Sequence, residues 1–145
     1  MDEYLHSLDR SLETLIYYFN KCSKIGKKDH YDLEEQESSE ALTSRFARTS
    51  DILTQKILKA FYMLMQEDIR SHIDGANFLE KLGIIEKSED LLNIRELRNQ
   101  IAHEYVDTEL PSLFSDVLHH IELLRDIITN VKQYIIQKKL FMPKP

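Results

Sequence analysis

The residues of this chain best suited to chemistry lie in the segment 91–105, which reads LLNIRELRNQIAHEY. In a helix, where successive residues turn by about 100°, Asn99 and His103 lie one above the other on one flank. Arg95 precedes Asn99 by one turn, and Arg98 lies nearer the core side, from which its long side chain can reach across. An imidazole, an amide and two guanidinium groups therefore share or border one strip.

The apolar side of the same helix predicts how it packs. The residues expected to face the core are Leu91, Ile94, Leu97, Ile101 and Tyr105, and those expected to face solvent are Asn93, Glu96, Gln100 and Glu104. The polar flank also carries Leu92 and Ala102, as a surface that meets another subunit would. Two plainer roles stay open for the polar residues: Arg98 could pair with a nearby carboxylate, and His103 could interact with the helix C-terminus.

Other chemistries lack the residues that they need. The three glycines are too widely separated for a glycine-rich phosphate loop, and Cys22 is the single cysteine. Asp68 and His72, like Asp116 and His120, are one helical turn apart, but such pairs are more often solvated contacts than metal ligands. We therefore predict no metal site and no cofactor.

The composition indicates a single helical domain in a reducing compartment. The 145 residues suit one domain, and three Gly and three Pro are few for a fold with many tight turns. No apolar run reaches the roughly 20 residues of a membrane span, and the start lacks a secretion signal. We expect a soluble, cytoplasmic protein with no membrane contact. Its net charge of −6 argues against non-specific coating of nucleic acid but does not exclude a local catalytic pocket.

The apolar periodicity predicts four main helices and one short segment. The predicted order is a helix over 2–25, an exposed polar connection over 27–38, a long helix over 39–68, a turn at Asp74-Gly75, a short helical segment over 76–82, a helix over 88–105 and a final helix from about Pro111. The final helix has the most regular stripe, formed by Val117, Ile121, Leu124, Ile128, Val131 and Ile135. The predicted fold is all-α, a four-to-five-helix up-and-down bundle, with one domain over 1–137 and a short tail over 138–145.

The run Arg98-Asn99-Gln100-Ile101-Ala102-His103 matches the R-x4-H motif of HEPN domains, a superfamily of small helical bundles. Extended to Tyr105, it resembles the R-x4-H-x-Y form of HepT-type toxins. Those toxins are the ribonuclease partners of MNT-type minimal nucleotidyltransferase antitoxins. The preceding NFLEKLGIIEKSEDLLNIREL and the long second helix also resemble this family, so the likeness spans most of the chain.

The resemblance implies a HEPN-like bundle that forms a homodimer or higher homo-oligomer and cuts RNA without metal, in a cleft lined by both motif helices. RNA supplies its own nucleophile in the 2′-hydroxyl group. His103 would act as general acid or base, and Arg98 would hold the scissile phosphate and stabilise its developing charge. Asn99 would orient the phosphate or the imidazole, and Arg95 would add positive field.

Tyr105 matches the tyrosine that the antitoxin of this family modifies with AMP, and the added charge and bulk would repel RNA. The chain has no nucleotidyltransferase signature, so the modifying partner would be a separate protein. Two alternatives use the same fold: a non-catalytic, substrate-binding partner subunit of a minimal nucleotidyltransferase, and a helical dimerisation module with incidental polar residues. The presence of Arg98, Asn99 and His103 together favours the enzyme, whereas the acidic net charge slightly favours the non-catalytic partner subunit.

Overall fold

The computed structural model describes residues 1–26, 28–103 and 110–138, without the side chains of 110–112. Within these ranges every regular element is a helix, as predicted. The elements are α1 (Asp2–Ser23), α2 (Leu33–Asp51), a π-helical segment (Ile52–Ile57), α3 (Leu58–Leu64), α4 (His72–Lys81), α5 (Ser88–His103) and α6 (Leu110–Gln137). None of these helices combines the length and hydrophobicity needed to cross a bilayer. The predicted tail lies outside the described residues except for Lys138.

One cluster of buried apolar residues joins the helices and confirms the two clearest sequence stripes. All six stripe residues of α6 are buried, as are Leu91, Ile94, Leu97 and Ile101 of α5. The segments α2, π and α3 follow one another without a break, and α2 contacts α1, α5 and α6. Since α5 buries its apolar side, its rotation is fixed and its polar flank faces the neighbouring end of α2.

The predicted connection over 27–38 is wrong in its second half, because α2 begins at Leu33. Asp32 accepts a hydrogen bond from the backbone N–H of Glu35 at 2.8 Å, and the Glu35 side chain accepts one from the backbone N–H of Asp32 at 3.1 Å. This reciprocal pair is a capping box, which starts a helix without any apolar periodicity. The small Ser38 is buried, and its carbonyl oxygen accepts a bond from the thiol of Cys22 at 3.4 Å.

The predicted turn at Asp74-Gly75 is also wrong, because both residues lie inside α4. A Cβ at Gly75 would lie 2.6 Å from the hydroxyl oxygen of Tyr62. The glycine therefore serves the close packing of α4 on α3 rather than a change of chain direction. The predicted stop at Gly83 is confirmed, since this residue follows α4 with a φ of +75°.

Candidate functional site

Three of the predicted site residues line a single cleft between α5 and the end of α2. Arg95, Arg98 and Asn99 form one wall of this space of about 200 Å³, and all three are half-buried. The opposite wall consists of Ser50, Asp51, Thr54 and Gln55. We call this space the motif cleft. It lies on the polar flank that the helical spacing of α5 predicted.

His103 does not line the motif cleft. It is exposed and is the last described residue of α5, one helical turn beyond Asn99, or about 6 Å along the helix axis. Within one copy of the chain, the imidazole therefore borders the cleft rather than closing it. Tyr105, the predicted modification site, lies outside the described residues.

Arg98 binds Asp51 through two parallel hydrogen bonds. Its Nε donates to Oδ1 at 2.6 Å and its Nη2 donates to Oδ2 at 2.9 Å. The carboxylate pairing that the sequence left open is therefore present, and it joins α5 to α2. The hydrogen bond to Asp51 also raises the pKa of Arg98, so the guanidinium group keeps its charge. The Nη1 donors lie outside this pair.

The π-helical segment begins directly after Asp51. A π turn holds one residue more than an α turn, so it shifts the register of the side chains that follow. Leu53, Ile57 and Leu58 stay buried, while Thr54 and Gln55 line the motif cleft. Such turns are frequent at functional sites, and here the turn forms the wall opposite Arg95 and Asn99.

The motif cleft is one part of a longer groove. A depression beside the π segment shares Asp51 and Gln55 with the cleft, and a further depression between α1 and α2 shares Arg48 and Ile52 with the first. On the other side, a pocket against α3 and α4 shares Thr54 and Arg95 with the cleft. Since each space shares lining residues with the next, we treat them together and call them the basic groove.

The basic groove carries a charge opposite in sign to that of the whole chain. Its lining includes eight of the 19 Lys and Arg residues but, among the described residues, only two of the 25 Asp and Glu residues. The cations are Arg10, Arg45, Arg48, Lys56, Lys59, Arg70, Arg95 and Arg98, and the acids are Glu3 and Asp51. Cationic side chains therefore outnumber acidic ones along this groove, although the net charge of the chain is −6.

Two of the four residues in the predicted acid–histidine pairs make other contacts. Asp68 pairs with Arg70 at 2.9 Å, and Nδ1 of His120 contacts the backbone oxygen of Asp116 at 2.7 Å. Across the part of the chain that the structure describes, no three His, Cys, Asp or Glu residues are grouped so that they could hold a metal ion.

Sequence reasoning missed the α2 wall of the cleft. Asp51 and Arg98 are 47 positions apart, so no local pattern connects them. Only the packing of α5 on α2 brings them together. No protein-family model matches the chain, and no curated protein sequence matches it significantly. The resemblance to HEPN domains therefore rests on the residues quoted above.

Proposed function

We propose that this chain is a metal-independent endoribonuclease, the toxin of a HEPN/MNT-type toxin–antitoxin pair acting on RNA in the cytoplasm. The observation that carries the proposal is the motif cleft: Arg95, Arg98 and Asn99 meet there, inside a positive groove on an acidic protein. RNA is a polyanion whose affinity for proteins comes largely from phosphate contacts with Lys and Arg. The groove supplies those contacts, and the cleft supplies the chemistry.

The reaction requires no group beyond the RNA and the side chains. The 2′-hydroxyl group attacks the adjacent phosphorus, its proton passes to a base, and the 5′ oxygen leaves with a proton from an acid. His103 serves in this proton transfer. Asp51 fixes the plane of the Arg98 guanidinium group, so that Nη1 and the Arg95 side chain stabilise the charge on the phosphate. Asn99 orients the phosphate between them.

A second copy of the chain completes the site in this proposal. His103 borders the cleft in a single copy, and Ala102 beside it is exposed. Apposition of two α5 flanks would enclose the imidazole. We expect a dimer or larger assembly by light scattering at micromolar concentration, and Ala102→Arg should weaken it. A strictly monomeric wild type that cuts RNA would refute the shared cleft.

One observation favours the alternative function, a non-catalytic partner subunit of a minimal nucleotidyltransferase. The pairing of Arg98 with Asp51 gives the arginine a structural role that requires no RNA. Such a subunit would bind its partner with the cleft residues replaced and would never cut RNA. Tyr105 stays a predicted AMP acceptor under either function, and the intact mass of the protein after co-expression with the partner tests that prediction.

The deciding experiment compares cleavage of several RNAs in EDTA by wild type and His103→Ala, with His119→Ala as the matched control. His119 is an exposed histidine of α6 outside the groove. We expect chelator-resistant cleavage by wild type and His119→Ala, and a loss of about 100-fold or more in His103→Ala. The protein must carry no AMP group, as checked by mass. Full activity in His103→Ala would exclude the mechanism, and an inactive wild type would favour the partner subunit.

A further inference from the structure

Next to the motif cleft, the basic groove includes a pocket of about 230 Å³ between α3, α4 and α5. We call it the Tyr62 pocket. Its volume is below the roughly 300–1,000 Å³ of pockets for drug-sized ligands, so it suits one small ring system with its substituents outside. Of the residues that line it, only Arg95 has a role in the proposed cleavage.

The inner surface of the Tyr62 pocket is formed mainly by apolar side chains. Leu58, Leu91 and Leu92 contribute aliphatic side chains, and the first two are buried in the core. The ring of Tyr62 packs edge-on against Phe78, with centroids 6.0 Å apart. Burial raises the pKa of Tyr62, so its hydroxyl group stays protonated and can donate a hydrogen bond.

Gly75 allows Tyr62 to take this position. Any larger residue would place a Cβ 2.6 Å from the Tyr62 hydroxyl oxygen and 3.0 Å from its ring carbon Cζ. The pocket wall therefore depends on a glycine that no turn or positive φ requires, since Gly75 lies within α4. This part of the wall is built by the close packing of α4 on α3.

The rim of the Tyr62 pocket is cationic. Lys59, Arg70 and Arg95 line it, and no Asp or Glu of the described ranges does. Arg70 pairs with Asp68 on the open surface, where such a pair contributes little. Partial burial lowers the pKa of His72, and the charges of Arg95 and Lys59 lower it further. An anion at this rim would relieve that repulsion.

The pocket and the motif cleft have a common wall. Arg95 and Thr54 line both spaces, so a ligand with its phosphate at Arg95 can place a ring in one and a neighbouring phosphate in the other. Unpaired RNA offers this combination, because splayed bases enter apolar pockets while the backbone follows cations. An inorganic anion would leave the apolar surface uncovered.

We propose that the Tyr62 pocket is a nucleotide subsite: it takes the base of the residue next to the scissile phosphate, and Lys59 holds that residue's own phosphate. Arg95 lies between this phosphate and the scissile one. The inference rests on the proposed function and identifies the place at which the enzyme recognises a base of its RNA substrate. The base lies on Leu92 and Tyr62, with the Tyr62 hydroxyl group available to its polar edge.

Binding of single nucleotides tests the subsite without cleavage. The full-length, 15N-labelled chain is titrated in EDTA with each of the four nucleoside 5′-monophosphates, ribose 5-phosphate, inorganic phosphate and adenosine. We expect at least one monophosphate to bind about tenfold or more tightly than phosphate and ribose 5-phosphate, with chemical-shift changes at Tyr62 and His72. Equal affinity for all the phosphates, or no binding, would overturn the subsite.

Two variants locate the binding. Leu92→Trp fills the pocket, with Met63→Trp, at an exposed position next to Tyr62, as its control. Lys59→Glu reverses a rim charge, with Lys81→Glu on α4 as its control, and it serves if Leu92→Trp does not fold. Each pocket variant should weaken nucleotide binding by about tenfold or more, and each control should not. Wild-type affinity in a folded Leu92→Trp or in Lys59→Glu would refute the assignment.

The outcomes separate this inference from the proposed function. His103→Ala should bind nucleotides as wild type does while cutting RNA about 100-fold or more slowly. Cleavage that depends on His103 but occurs without nucleotide binding would remove the subsite and keep the ribonuclease. Nucleotide binding at the pocket in a protein that never cuts RNA would keep a nucleotide site and remove the ribonuclease.

Discussion

The guanidinium group of Arg98 pairs with Asp51 and, in the proposed mechanism, also contacts a phosphate. Its bidentate pair with Asp51 is a geometry that Arg also uses for phosphate. The side chains of Arg98 and Asp51 are 31% and 39% exposed, so solvent screens the attraction and the pair contributes about 1 kcal/mol or less. A pair of this strength can orient Arg98 without preventing its contact with RNA.

The coupling between these two residues can be measured on unfolding. A double-mutant cycle of Asp51→Ala and Arg98→Ala should give a coupling of about 0.5–1 kcal/mol at low salt, falling as salt is added. In cleavage assays, Arg98→Ala should lower kcat by about 100-fold, and Asp51→Asn should lower it by less, since that variant keeps the guanidinium group. A coupling above about 3 kcal/mol with unchanged cleavage would make Arg98 a structural residue.

At the scale of the helices, the close contact of α3 with α4 through Tyr62 and Gly75 predicts that a larger residue at position 75 destabilises the fold. Gly75→Ala adds a methyl group 2.6 Å from the Tyr62 hydroxyl oxygen, and overpacking typically costs about 1–3 kcal/mol. Alanine favours the helix over glycine by about 1 kcal/mol, which offsets part of this cost. We therefore expect the free energy of unfolding, measured in urea, to fall by roughly 1 kcal/mol. In a Tyr62→Phe background the closest contact is absent, and the loss should shrink. The same loss in both backgrounds would contradict this account.

The helices could be predicted where burial follows the helical period. The stripe of α6 and the apolar side of α5 are such cases, and they fixed which face of α5 is polar. The start of α2 could not, because the capping box of Asp32 and Glu35 lies in a polar sequence. The prediction of a turn at Gly75 was wrong, because the role of this glycine depends on Tyr62, a residue 13 positions earlier.

Only the part of the site that lies on a single helix, α5, could be predicted from the sequence. Arg95, Asn99 and His103 share a flank because their spacing is local, and the structure places the first two in the cleft. The opposite wall comes from the π segment, whose change of register has no simple sequence signal. The pairing with Asp51 arises from tertiary packing, which a single sequence does not encode as a pattern.

For the whole molecule, net charge is a poor guide to what it binds. The acidic total of −6 conceals a groove with eight Lys and Arg residues against two acids. Acidic residues elsewhere disfavour non-specific association with a polyanion, while a groove of this composition would favour one locally. The charge is therefore compatible with a selective RNA enzyme, although it first argued against one.

The salt dependence of RNA binding tests whether the groove acts as a unit. We would measure the affinity of a 2′-O-methyl RNA oligonucleotide, which cannot be cut because its nucleophile is blocked, at several salt concentrations. Each phosphate contact in a single strand contributes about −0.7 to the slope of log affinity against log salt. Arg48→Gln, at an exposed position between the α1 end of the groove and the motif cleft, should therefore make the slope shallower by about 0.7–1. Lys81→Gln, outside the groove, should leave it unchanged. If both variants keep the wild-type slope, RNA does not extend along α2, and its binding is confined to the motif cleft and the Tyr62 pocket.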